Sequence, residues 1–302
     1  MKLKWYQLLL IILISFILIS LIVIYFFYRY VKNLVYINST SLCLIDKVTE
    51  IKPFKLSEYN FDTARALCLL SVSTTKWSVC KNFDVPIVPN FKHIATVKVY
   101  DIYSKQYVEN MLGYYSESLD MIILAFAGTT SADEWAASLD FRTSSLSFIK
   151  DKRIKIHSTY GKMYESMRFK IFRIIEETIG KNTTIILTGH SLGGSFASIC
   201  YLDLTSNHIT KNNVLYTYAC PRTGNQPFSD AITNTGNSFR VSNDEDIITS
   251  LPFPIMGTDT YYSHFGKAIN FSINLENFGD NHVAAYVEYF KDIKIFEENR
   301  KE

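Results

Sequence analysis

The stretch TTIILTGHSLGGSFASIC, residues 183–200, constrains the fold of this chain more than any other. It opens on β-forming residues, breaks at Gly189, and resumes as a small-residue helix around Ser191. Gly189-His190-Ser191-Leu192-Gly193 fits the pattern G-x-S-x-G between a strand and a helix. That turn is so sharp that the residues two before and two after the serine must lack side chains. Gly194 and Ala197 extend the smooth surface.

Other elements fall into place around this turn. FDTARALCLLSVS, from Phe61, has helical spacing with Asp62 in its first turn. IATVKVYDIY, YVENMLGYYS and DMIILAFAG read as strands, and the last is apolar enough to be buried on both faces. YGKMYESMRFKIFRIIEETIG sets Met163, Met167, Phe172, Ile175 and Ile179 on one helical face and stops at Gly180. Beyond the serine turn come a strand NVLYTYA, a short helix near Phe228, a strand SFRVS and a terminal helix VAAYVEYFKDIKIF. Strands alternating with helices predict an α/β fold with a mostly parallel central sheet and helices on both faces.

With 302 residues and 48% hydrophobic content, the chain is long enough for a sizeable core. Its 31 basic and 29 acidic residues are spread along the chain, which argues against nucleic acid as a partner. Leu8 to Tyr28 carries no charge and is interrupted only by Ser15 and Ser20. At ~1.5 Å per residue such a helix just crosses a ~30 Å hydrocarbon core. It is longer than the apolar region of a cleaved signal peptide, and Tyr25, Phe26, Phe27, Tyr28 and Tyr30 after it look like an interfacial belt. The expectation is therefore a membrane anchor over residues 1–32, a stalk with the first wrap onto the domain over 33–58, and one domain over 59–302. Lys2 and Lys4 favour a luminal or extracellular domain; secretion after signal cleavage is the alternative.

Five cysteines, Cys43, Cys68, Cys80, Cys200 and Cys220, include no C-x-x-C, so no zinc site, redox pair or cofactor is expected. Cys200 and Cys220 read as buried thiols. Cys68 and Cys80 are candidates for a bridge in an oxidising compartment. The sequons at Asn38, Asn182 and Asn270 fit such a compartment and mark candidate glycosylation sites.

A serine hydroxyl attacks only with a base in reach and a carboxylate to orient that base, here expected in the order Ser, Asp or Glu, His. Of the downstream histidines, His208 lies at the far end of the helix that follows Ser191, and His264 sits in a strand-like stretch. His282 follows NFGDN and precedes a helix, a setting from which an imidazole can reach over a sheet edge. Asp244 and Asp246 both follow SFRVS on that edge, and the residues alone do not choose between them. The developing oxyanion needs two N–H donors: Leu192 supplies one, and Thr129, beginning the loop after Gly128, is the candidate for the other.

Together these stretches resemble the fungal-type class 3 lipases, a branch of the α/β-hydrolases. FAGTTSADEW matches that family's oxyanion strand and lid, and GHSLGG its elbow. YACPRTGN, VSNDEDIITSLP and YYSHFG match its further segments, with coverage from about residue 59 to 290. The resemblance implies Ser191 as nucleophile, Asp246 rather than Asp244 as acid, His282 as base, and Thr129 with Leu192 as the oxyanion hole. It implies a lid near Trp135 and a structural role for His157. The family's arginine before the oxyanion glycine is Ala127 here, Trp135 to Asp140 is longer than the common W-x-x-D, and His282 stands four rather than three residues before Tyr286.

SADEWAASL, residues 131–139, starts with a capping-box-like S-x-x-E and carries Ala132, Trp135, Ala136 and Leu139 as an apolar stripe fit for a lid. A domain tethered at a bilayer meets acyl chains at high effective concentration. The expected activity is hydrolysis of carboxylic esters of acylglycerols or phospholipids through an acyl-enzyme. An esterase for non-lipid esters, or a silent binding protein on the same fold, are the alternatives.

Overall fold

The computed structural model describes Trp5, residues 12–22, Tyr25, and residues 47–79, 83–102, 105–128, 141–180, 182–254 and 261–291. Residues 12–22 are helical, and no described helix is long and apolar enough to cross a membrane. The remainder of the expected span Leu8–Tyr28 lies outside the described residues, as do Cys43, Cys80, Thr129, Trp135 and the expected lid.

Strands in chain order are β1 (Lys92–Asp101), β2 (Gln106–Ser116), β3 (Met121–Phe126), β4 (Thr143–Ser144), β5 (Ile156–His157), β6 (Thr184–His190), β7 (Asn213–Tyr218), β8 (Gly224–Asn225), β9 (Ser238–Asn243), β10 (Tyr262–Ser263) and β11 (Lys267–Phe271). Helices are α1 (Phe61–Val79), α2 (Ser158–Thr178), α3 (Leu192–Ser206), α4 (Gln226–Thr233), α5 (Phe278–His282) and α6 (Ala284–Lys291). A seven-stranded sheet runs β1-β2-β3-β6-β7-β9-β11. The hairpin of β1 and β2 is antiparallel, and every pairing from β3 to β11 is parallel. Short β10, β8, β5 and β4 form a second sheet.

Alternation along the central strands divides the core into two layers. Ile122, Leu124 and Phe126 of β3, with Ile185 and Leu187 of β6, pack against Met163, Met167, Ile171 and Ile175 of α2 and Phe196 and Ile199 of α3. Ile123, Ala125 and Ile186 face the opposite layer, where α1 supplies Ala66, Leu67 and Leu70 and α6 supplies Tyr286 and Phe290. Each large aliphatic side chain so buried contributes on the order of 1.5–3 kcal/mol. The continuously apolar run DMIILAFAG is thus a strand covered on both faces, as its composition requires.

Val48 and Ile51, within the stretch 33–58 read as a stalk with the first wrap onto the domain, are buried in the α1 layer. Helix α2 ends at Thr178, with Ile179 already extended and its N–H donating to Ile175 O. Cys68 is a buried free thiol within α1. Cys80, its expected bridging partner, lies outside the described residues. Cys200 and Cys220 are buried free thiols, and burial pushes the Cys220 thiol up to about 12.

Candidate active site

Ser191 stands between β6 and α3 at φ 57°, ψ −128°. For a residue with a side chain this strained conformation costs on the order of 1–3 kcal/mol and persists only where its surroundings enforce it. Here the strand and helix close on each other without room for a methyl group. A Cβ on Gly189 would meet the Gly193 carbonyl at 2.2 Å, and one on Gly193 would meet Phe126 O at 2.2 Å. Ser191 N–H donates to Tyr218 O at 2.9 Å, and Gly194 N–H to Ser191 O at 2.9 Å, which pins the turn from both sides.

Two further segments reach the same edge of the sheet. Strand β9 delivers NDED, where Asp246 begins a 3-10 helix (Ile247–Ser250), its Oδ1 accepting from Ile248 N–H at 3.0 Å. Beyond β11, Asn277 caps a single turn of helix by accepting from Asp280 N–H at 2.8 Å, and that turn ends at His282. The histidine expected in a loop is therefore the last residue of α5, because the asparagine cap folds NFGDN into a helix.

The three side chains meet. His282 Nδ1 donates to Asp246 Oδ2 at 2.8 Å, and this tautomer leaves Nε2 to accept from the Ser191 hydroxyl at 2.9 Å. All three are buried. Tyr286 Oη donates to Asp246 Oδ2 at 2.9 Å and itself accepts from Asn243 N–H at 3.0 Å. Burial and then the neighbouring carboxylate push the Tyr286 phenol well above its ordinary value. Asp244 is exposed and lies outside this cluster. Leu192 begins α3, so its N–H is one of the first-turn donors that no intrahelical carbonyl can accept.

The other histidines are elsewhere. His208 is exposed past the end of α3, with φ 56°. His264 lies between β10 and β11, where burial first and then the Arg240 and Arg222 guanidinium groups push it down to about 3. His157 is buried and stacked on the Tyr160 ring at 3.8 Å.

Several contributors escaped the sequence reading. Asn243 joins the acid loop to the histidine segment: its Nδ2 donates to Ile273 O at 2.9 Å and Asn281 O at 3.1 Å, and its Oδ1 accepts from Ile273 N–H at 3.0 Å. An asparagine closing the strand SFRVSN just before the acids was the available signal. His190, the first variable position of G-x-S-x-G, donates from Nε2 to the His282 carbonyl at 2.7 Å. Thr75 of α1 accepts from Gly128 N–H at 2.8 Å and so holds the exit of β3, and nothing local in the sequence marks it.

Among the described residues no group of three or more His, Cys, Asp or Glu is arranged to hold a metal ion. A serine hydrogen-bonded to an oriented imidazole, beside a free helix N–H, is an arrangement suited to nucleophilic attack on a carbonyl and transfer of the serine proton.

Residues 123–256 match the family described as lipase (class 3). Phospholipase A1-Igamma3, chloroplastic, of Arabidopsis thaliana is 32% identical over 159 residues, covering 43% of this chain and 30% of the relative. A lipase of Rhizomucor miehei is 28% identical over 206 residues, covering 66% of this chain and 53% of the relative. The chain thus spans about half or less of the length of these curated relatives. Lipase II from Rhizopus niveus superposes with a TM-score of 0.51 at 27% identity, over 71% of this chain and 78% of that one. Its neighbours carry the α/β-hydrolase fold with a mostly parallel central sheet, as here.

Proposed function

We propose that this chain, whose residues 123–256 match the class 3 lipase family, is a serine hydrolase of carboxylic esters of lipids, acylglycerols or phospholipids. The hydrogen-bonded chain from Ser191 through His282 to Asp246 carries the reading. Ser191 Oγ attacks the ester carbonyl while its proton passes to His282 Nε2. Asp246 holds the imidazole in the productive tautomer and balances the imidazolium as it forms. The carbonyl oxygen becomes an oxyanion that Leu192 N–H and Thr129 stabilise, each donor being worth about 2.7–4 kcal/mol in comparable sites. Collapse expels the alcohol, which takes the proton back from His282, and water then releases the acid from the acyl-enzyme by the same steps.

Lipid as the substrate class rests on the relatives, whose names are lipase and phospholipase A1, and on the apolar run Leu8–Tyr28. Within that run, residues 12–22 form a helix whose aliphatic and aromatic side chains are exposed, which favours a bilayer tether with the domain luminal or extracellular. Residues 131–139 are proposed as a lid over the site.

Labelling with a fluorophosphonate tests the chemistry: the full chain should label and Ser191→Ala should not, and labelling of Ser191→Ala rejects the nucleophile. Lipid profiles of membranes incubated with either protein then identify the ester cleaved. Faster turnover on micellar long-chain esters than on soluble short-chain esters separates a lipase from a non-lipid esterase. Release of the full chain from membranes by alkaline carbonate would reject the tether.

A further inference from the structure

His190 is a buried titratable side chain that the hydrolytic reaction does not use, yet it touches the group that does the proton transfer. Its ring lies 4.8 Å from the His282 ring, centroid to centroid, and 5.7 Å edge-on from Tyr286. Its Nε2–H donates not to either side chain but to the backbone carbonyl of His282, at 2.7 Å. That carbonyl belongs to the last residue of α5, where helix geometry leaves it without an intrahelical donor. His190 itself is the last residue of β6, fixed by its pairing with Tyr218 of β7, and is the immediate neighbour of Ser191.

We propose that His190 is a positioning residue for ester hydrolysis, tying the backbone of His282 directly to the strand end that presents Ser191. The inference rests on the hydrolase reading above. Its physical content is a closed ring of constraints. Ser191 and His282 arrive on segments separated by 91 positions in the chain, and their side chains are joined by one hydrogen bond of 2.9 Å. That bond must break and re-form during each turnover, as the proton leaves the serine and later goes to the leaving alcohol. Were it the only link, each proton transfer would release the histidine segment from the elbow. The His190 bond involves a backbone carbonyl and a ring that take no part in proton transfer, so it persists through the cycle and holds the donor–acceptor distance.

The chemistry of His190 suits this task. Burial first, and then the His282 ring, push its pKa down to about 3, so the ring stays neutral while its neighbour becomes an imidazolium. A lysine or arginine donor here would place a fixed charge beside that imidazolium. A Gln amide can reproduce the Nε2 donor, because its nitrogen lies the same number of bonds from Cβ; an Asn amide falls short of it.

The test uses the full chain, 4-nitrophenyl butyrate as substrate and a fluorophosphonate as active-site probe. His190→Leu should lower kcat roughly 10- to 100-fold with KM nearly unchanged, the size expected when a reacting group shifts by about an ångström. The rate of fluorophosphonate inactivation should fall in parallel, with the melting temperature of each variant recorded alongside. His190→Gln should recover to within about 3-fold of wild type and His190→Asn should not, a difference that a purely structural ring would not produce. Equal activities of the Gln and Asn variants, or a folded His190→Leu with wild-type kcat, would overturn the inference. If His190→Leu does not fold, the Gln and Asn pair still decides. A wild-type chain that neither hydrolyses the ester nor labels overturns the hydrolase reading; a wild type that does both beside an unaffected His190→Leu overturns only the role of His190.

Discussion

Tyr286 Oη and His282 Nδ1 share one acceptor, Asp246 Oδ2, at 2.9 and 2.8 Å. The tyrosine thus helps fix the oxygen that orients the histidine, and its own oxygen is held in turn by Asn243 N–H at 3.0 Å. Both bonds are buried, so neither is exchanged for water.

Tyr286→Phe should leave Asn243 N–H without an acceptor and the Asp246 carboxylate with one donor fewer. An orphaned buried donor costs about 1–3 kcal/mol, and the loss should appear as a lower urea midpoint at unchanged m-value. Because His282 keeps its bond to Asp246, fluorophosphonate labelling should survive, although slower. A complete loss of labelling in a folded Tyr286→Phe protein would contradict this view of the tyrosine as a support.

Asn243→Leu removes the clamp between β9 and the histidine segment while keeping the volume. It frees Ile273 N–H and the carbonyls of Ile273 and Asn281 together. The expected cost is at least about 2 kcal/mol, with labelling of Ser191 more severely slowed than in Tyr286→Phe, since the backbone on both sides of the acid–base pair is released. Thermal melts and inactivation rates of the two variants side by side measure the ranking.

Acid should destabilise the fold through its buried neutral histidines. His190 and His264 are both lowered to about 3 in the folded chain, against 6.5 for the ordinary side chain. Between these values the unfolded chain binds more protons than the folded one, so stability falls as pH drops through that window and is unaffected by these groups above it. The fully buried His190 should account for a few kcal/mol, and the half-buried His264 for less because solvent screens it. Urea midpoints from pH 7 to pH 4 should decline less steeply in His190→Gln than in wild type; parallel curves would count against a neutral buried His190.

Glycine positions make a sharp contrast. Gly189→Ala would drive a Cβ to 2.2 Å from the Gly193 carbonyl, backbone against backbone, and should prevent accumulation of folded protein. Gly236→Ala meets nothing within 4 Å, and its only penalty is the positive φ of 79°, about 1 kcal/mol. Soluble yield and melting temperature distinguish the two.

Much of the architecture was legible in residue order. The continuously apolar DMIILAFAG and TTIILT became adjacent parallel strands, Phe126 opposite Gly189, because a strand buried on both faces has no other composition available. Gly189, Ser191 and Gly193 specified the elbow, since steric exclusion is local and needs only five residues to express itself. The NDED acids and His282 were legible as chemistry, though not as geometry.

What the sequence by itself determined, then, is what depends on neighbours along the chain: the periodicity of strands and helices, the glycine-lined turn around Ser191, and the order of serine, acid and base. The residues left Asp244 and Asp246 open and only the family resemblance favoured Asp246; the tertiary structure turns Asp246 inward to His282 and Tyr286, which two acids on one loop do not record by themselves. It also brought Asn243, His190 and Thr75 into hydrogen bonds beside these residues. Hydrogen bonds are directional over about 3 Å, so the partner of a buried donor is set by which segments the packed sheet brings to its edge, and no local pattern records that distance.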